Sequence, residues 1–280
     1  MRNIFIALFL IPQVVFAIYG QDDRIDLHQV KSPMLKKLAQ AVAYQVDKNE
    51  LRGWTFNRYW KFRQRPLNQR LVCSSERFAE HSAIRAGCTG VLVGEDLLLT
   101  AGNCITEHYC WNDLYYWAFN YSFTESGTVL DKLHKNNFYK CDKVVKRYFS
   151  PSQGISFALL KLKKKVRGIE PVKISSKDID SSTKLVAMGH PKGIPLKIAT
   201  NVSVLDQDEN LFITNSDIGG SNKGVPLFDE STGELMGMSI YGTPNFYDFG
   251  KGCKENPVFK DNEGQELFIK SKTIKAMLSE

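Results

Sequence analysis

Histidine is scarce in this chain, and its scarcity is informative. The five histidines in 280 residues (His28, His81, His108, His134 and His190) stand far apart, and no Cys-x-x-Cys occurs. Metal sites need ligands at short, recurring spacings, so neither a metal centre nor a cofactor is expected. Internal repeats and low-complexity segments are lacking, which excludes solenoids and long disordered tails. No nucleic-acid motif accompanies the excess of basic residues. Long apolar runs are missing too. The longest, residues 4–15, is broken by Pro12 and Gln13 and is too short to span a bilayer.

What is present is an ordinary globular composition, 43% hydrophobic and 24% charged, with a net charge of +7. Arg2, the apolar run and Val15-Phe16-Ala17 together read as a secretory signal peptide over residues 1–17, with cleavage after Ala17 or as late as Gly20. Export to an extracellular or periplasmic location permits disulfides, and six cysteines fit oxidised pairs, although 15 connectivities are open. No membrane insertion is expected once the signal is removed. The densest basic run is Lys161-Leu-Lys-Lys-Lys-Val-Arg167. It reads first as a solvated strand end and turn, and second as a patch for an acidic partner.

Residues 18–72 form a lead-in. Ser32-Pro33 opens a helical stretch in which Leu35, Leu38, Ala39, Val42 and Val46 recur on one side. From Cys73 onward, short apolar runs alternate with turn residues, the texture of an all-β sandwich or barrel. Residues 266–278 then suggest a closing helix.

The most organised stretch is Cys88-Thr-Gly-Val-Leu-Val-Gly-Glu-Asp-Leu-Leu-Leu-Thr-Ala-Gly-Asn-Cys104. Two apolar runs around Gly94-Glu95-Asp96 predict a hairpin whose ends bring Cys88 and Cys104 into bridging range. Cys110–Cys141 is the next pairing to suggest itself, and Cys73–Cys253 follows by elimination.

The same stretch resembles the signature of chymotrypsin-like serine peptidases, in which Leu-Thr-Ala-Ala/Gly-His-Cys carries the general base. Asn103 stands in the place of that histidine. A family strand reading Ala-Leu-Leu/Ile-x-Leu is matched by Phe157-Ala-Leu-Leu-Lys-Leu162, and Ser156 stands where the acid belongs. The nucleophile segment is matched by Gly219-Gly-Ser-Asn-Lys-Gly-Val-Pro226, which puts Lys223 in the place of the serine and Ser221 at the oxyanion-hole glycine. Gly189-His-Pro-Lys-Gly193 and the start Gly20-Gln-Asp-Asp-Arg24 resemble the bacterial, glutamyl-endopeptidase-like branch. Gly237-Met-Ser-Ile-Tyr-Gly242 resembles the strand that pairs with substrate, making Ile240, Tyr241 and Gly242 candidate peptide contacts. Asp217 lies where an acid of the primary specificity pocket can sit; equally, it caps a turn or pairs with Lys223.

The resemblance implies two six-stranded antiparallel barrels, at about 73–174 and 178–252, with an N-terminal helical lead-in and a C-terminal helix. It also implies that the triad is degenerate. A carboxamide cannot take a proton near neutral pH, a hydroxyl cannot stabilise a cationic base, and an ammonium is no nucleophile. The expected function is that of a secreted, non-catalytic peptidase homologue binding protein or peptide in the cleft between barrels. Two alternatives compete: an active peptidase with a remodelled site, with Ser221 or His108 as substitutes, and an interaction module using the basic surface. The identity of the partner and the oligomeric state are not legible.

Overall fold

The computed structural model describes residues 18–280 except 54–55, 71, 86, 112, 126–129, 181, 219–221, 243–246 and 249. The proposed signal peptide therefore lies outside the described residues.

Two curled, antiparallel sheets make up the protein, as a chymotrypsin-like fold requires. In the first, six strands run β1 (Val42–Asp47), β2 (Thr89–Gly94), β3 (Leu97–Thr100), β4 (Tyr115–Phe119), β5 (Cys141–Ser150) and β6 (Ile155–Leu162). The spatial order is β4-β1-β2-β3-β6-β5, and the short strand Phe138–Tyr139 on the β4 edge makes the sheet 7-stranded. The second contains β7 (Leu185–Gly189), β8 (Lys197–Val202), β9 (Leu211–Thr214), β10 (Pro226–Asp229), β11 (Leu235–Tyr241) and β12 (Glu266–Lys270). Short strands Val204–Gln207 and Ile25–Asp26 extend it to eight. One apolar core joins Val91, Leu98, Leu160 and Trp117 of the first sheet to Met188, Phe228, Met238 and Ile269 of the second.

The hairpin forms as expected, with Leu92 opposite Leu98, but its connection is only Glu95-Asp96, because Gly94 pairs with Leu97. All three disulfides are Cys73–Cys253, Cys88–Cys104 and Cys110–Cys141. They suit an oxidising, extracellular or periplasmic compartment. The bridge across the hairpin, at a sequence separation of 16, contributes about 3 kcal/mol in the loop-closure account. Non-reducing peptide mapping should recover a Cys88–Cys104 peptide, and Cys88→Ala with Cys104→Ala should lower unfolding stability by about that amount; two free thiols in the native protein would contradict the structure.

The lead-in departs from its reading. The helix α1 (Pro33–Gln40), capped by the Ser32 hydroxyl, stops at Ala41, and Val42 and Val46 belong to β1 instead. Helical and strand periods cannot be told apart over so short a run, and residues 42–46, buried on both faces with β-branched Val42 and Val46 on one of them, favour the central strand. The N-terminal segment is likewise no separate unit. Ile18–Tyr19 pairs in parallel with Val258–Phe259, and Ile25–Asp26 pairs with Lys197 and Ile198 on β8. A fully buried ion pair, Lys197 Nζ to Asp26 Oδ1 at 2.5 Å, fastens that segment to the second barrel. Burial drives the Lys197 pKa down to about 8 against the pull of Asp26. At the other end, 266–270 is β12 between β9 and β11, and only α2 (Ser271–Ser279) is helical. The second barrel thus reaches beyond residue 252 to take in β12, because β9 and β11 each need a partner that no nearer segment supplies.

Candidate active site

The three residues expected at the triad positions, Asn103, Ser156 and Lys223, are carried by three elements of different kinds. Asn103 lies in the single turn Gly102–Cys104 that follows β3. Gly102 allows that turn to press against β5 and β6; a Cβ there would come within 3.0 Å of the Phe157 backbone nitrogen. Arg147 Nε, from β5, donates to the Gly102 carbonyl at 2.8 Å and holds the turn from the outside.

Ser156, 5% exposed, sits near the start of β6. Its Oγ accepts the Asn103 backbone N–H at 3.2 Å. Asn103 and Ser156 are therefore adjacent in space, though 53 residues apart in sequence. What links them is a main-chain amide and a hydroxyl, with no titratable group between them.

The Lys223 segment arrives from the second barrel. The Thr89 N–H donates to the Lys223 carbonyl at 2.8 Å. Gly224, at φ +80°, lies so close to β2 and β3 that a Cβ would overlap the Thr89 carbonyl oxygen and stand 2.7 Å from Thr100 Oγ1. Thr100 precedes Asn103 by three residues, so the loop reaches the same junction. Behind it, Val225 N–H donates to Ser239 Oγ at 3.0 Å, and that hydroxyl donates to the Asn222 carbonyl at 3.2 Å. Ser221 lies outside the described residues.

A buried network that sequence reasoning missed crosses the two barrels beneath this loop. Thr89 Oγ1 donates to Asn222 Oδ1 at 2.7 Å and lies 3.4 Å from His190 Nδ1. The His190 ring is stacked on Tyr121, with centroids 5.7 Å apart, and packs beside Tyr44. Complete burial pushes the His190 pKa down to about 3, so it is a neutral, structural imidazole. His108 is also remote from acid–base duty: it is exposed and rests on Trp111, with ring centroids 4.7 Å apart.

Asp217 lies at the wall of a small cavity shared with Tyr19, Asp23 and Asn215. It is 3% exposed, and its Oδ1 accepts the Tyr19 N–H at 2.8 Å. Burial is the chief cause that raises its pKa, to about 7, overcoming the Tyr19 hydrogen bond and the Arg24 charge. Its partner is 198 residues away in sequence, so no local signal announced the contact. Ile240 is 4% exposed and Gly242 is buried, whereas Tyr241 at the end of β11 is 64% exposed. Among the described residues no group of His, Cys, Asp and Glu could hold a metal ion.

Comparison with known proteins bears on the fold and the family. No curated protein sequence matches the chain. Among solved structures, a human heparin binding protein is similar at a TM-score of 0.54 and 12% identity, covering 94% of this chain and 95% of its own. The Vibrio cholerae VesB protease is similar at a TM-score of 0.52 and 10% identity, covering 92% of this chain; this chain spans only 66% of that one. A Glu endopeptidase in complex with MPD is similar at 0.49 and 13% identity, over 94% of this chain and 100% of its own. Such likenesses speak to fold. The family is carried by residues 88–238, more than half of the chain, which match the family described as trypsin-like peptidase domain. From the Cys88 hairpin to the strand behind Lys223, this chain belongs to the trypsin-like peptidase domain family.

Proposed function

We propose that the chain is a secreted, catalytically degenerate member of this family, from its glutamyl-endopeptidase-like branch, that binds extended protein or peptide in the cleft between the barrels. The observation that carries the reading is the Asn103–Ser156 contact. The Asn103 backbone N–H and the Ser156 hydroxyl bring these two residues together, and neither side chain can act as the imidazole or the carboxylate that proton transfer would need. Loss of such groups leaves only the acceleration that binding and an oxyanion hole supply, about 10³–10⁴-fold over water.

The end of β11 supports binding. Its pairing with the segment beside Lys223 runs from Pro226–Met238 to Gly224–Ser239, and Tyr241 continues past that partner into solvent. A strand end of this kind accepts an extended peptide by backbone pairing. That the fold serves binding as well as cleavage is consistent with its likeness to a protein named for binding heparin.

The purified protein should not turn over casein or peptide substrates, nor be labelled by a fluorophosphonate, which needs an activated serine. It should bind extended peptides, and Tyr241→Ala should weaken that binding about tenfold, the loss typical of an exposed aromatic anchor. Labelling that disappears in Ser221→Ala would make Ser221 the nucleophile and overturn the reading. Restoring His, Asp and Ser at positions 103, 156 and 223, with Gly at 221, tests whether the scaffold is otherwise competent.

A further inference from the structure

At the opposite end of β6 from Ser156 lies a second concave feature, of about 780 Å³. Leu162 is six residues beyond Ser156, which at about 3.3 Å per strand residue puts the two ends roughly 20 Å apart. The basic run that follows Leu162 forms one wall, with Lys164, Lys165 and Arg167 lining the cavity, and the Asn136–Asn137 turn forms the other.

The wall is built rather than loose. Leu162 N–H donates to the Asp96 carbonyl at 2.8 Å, Lys163 N–H to Lys140 at 2.9 Å, Val166 N–H to Glu95 at 2.7 Å and Val172 N–H to Leu92 at 2.8 Å. The basic run is thereby tied to the β2–β3 turn, with its cationic side chains outward. Lys164 Nζ lies 4.9 Å from the Tyr139 ring centroid, and Lys165 pairs with Glu95. Glu170, the other acid of the lining, pairs at the exposed rim with Lys37 at 2.5 Å.

We propose that this cleft is a binding site for a short acidic oligosaccharide, one bearing sulfate or carboxylate groups. With Lys165 paired to Glu95 and Glu170 paired to Lys37, the charges of Lys164 and Arg167 remain as a positive excess for acidic substituents. The exposed carboxamide of Asn136 suits a sugar hydroxyl, being donor and acceptor at once, while that of Asn137 is held by Asn120 Nδ2 and the His134 carbonyl and braces the wall. Its volume falls in the range of small-ligand sites, and its concavity does not fit a flat membrane surface or a duplex. Tyr139 is 5% exposed, so no aromatic face is offered to stacked bases as a single-stranded nucleic acid would need.

The test is titration calorimetry of the full chain, at physiological salt, with dextran sulfate oligosaccharides and with neutral dextran of the same length. Saturable binding of the sulfated form alone is expected. Lys164→Ala with Arg167→Ala should weaken it at least about tenfold, while Lys177→Ala with Lys184→Ala, the same charge change on the second barrel, should alter it less than about twofold. Circular dichroism and melting temperature of both variants confirm folding, and Arg167→Gln, which keeps the side-chain bulk, gives the same direction of loss. Absence of binding, equal loss in both double variants, or equal binding of neutral dextran would overturn the proposal. So would tighter binding of single-stranded RNA or phosphatidylserine vesicles that depends on the same residues.

Discussion

Gly224→Ala is expected to yield no stably folded protein. At φ +80° an alanine is already strained by about 1–2 kcal/mol. The larger cost is steric, because the new methyl would occupy the space of the Thr89 carbonyl oxygen and press on Thr100 Oγ1 and the Ala101 amide. These are backbone or buried atoms that cannot swing aside. Moving them would also break the Thr89-to-Lys223 hydrogen bond, which joins the barrels at this loop, and the Gly224-to-Ser239 bond, which holds the loop to β11. The sum exceeds about 4 kcal/mol, a large part of the stability of an ordinary domain. Gly168→Ala is the control, since Gly168 has positive φ but nothing within 4 Å of a built Cβ; it should cost only about 1 kcal/mol. Urea unfolding of the two variants measures the difference, and a Gly224→Ala protein as stable as Gly168→Ala would mean that the loop does not pack on the first barrel.

Asp217→Asn should stabilise the protein by up to about 4 kcal/mol at pH 8 and change nothing below pH 4. Asn keeps an acceptor for the Tyr19 N–H but carries no charge. In the folded protein the Asp217 pKa is raised to about 7, whereas an unfolded chain ionises near the ordinary 3.8. Between those values the folded state holds a proton that the unfolded state has released. Stability from Asp217 is therefore fully present below 3.8 and lost as pH rises to 7. His190 works in the opposite direction. Its folded pKa, about 3, lies below the ordinary 6.5, so its contribution is present above 6.5 and lost as pH falls. The half-buried His81, lowered to about 4, adds a smaller loss of the same sign.

From pH 6.5 to 4, Asp217 thus offsets most of the acid sensitivity of the two histidines. The variant, lacking that offset, should lose about 1.4 kcal/mol more per pH unit than the parent over this range. Chemical denaturation at pH 4, 5, 6, 7 and 8 reads the difference directly. Parallel stability curves for the two proteins would show that Asp217 is ionised in the folded state across the whole range.

Much of the architecture was legible because it is local. The Val91–Leu99 hairpin announces itself by two apolar runs around a Gly-containing turn, and Cys88 and Cys104 flank it at a spacing that antiparallel pairing makes into a bridge. The exchanges proposed at Asn103, Ser156 and Lys223 are matters of residue identity, and identity is a property of sequence. No packing can make a carboxamide into a base near neutral pH.

The rest was decided by partners far away along the chain. The residues 42–47 carry a pattern compatible with either a helix or a buried strand, and the choice fell to β2 and β4, which needed a strand between them. Leu267 fits the apolar side of a closing helix, yet it pairs with Ile213 and Tyr241 because β9 and β11 each had an unsatisfied edge. Asp217 is the clearest case. Its type and place suggested a pocket acid, a turn cap or a partner for Lys223, and only the return of Tyr19, 198 residues away, supplied the donor it accepts. Sequence by itself determined which groups this protein has for chemistry, since proton affinity and nucleophilicity belong first to the side chain. Tertiary structure alone decided which of them face solvent and which are enclosed, since burial depends on contacts that no local pattern encodes.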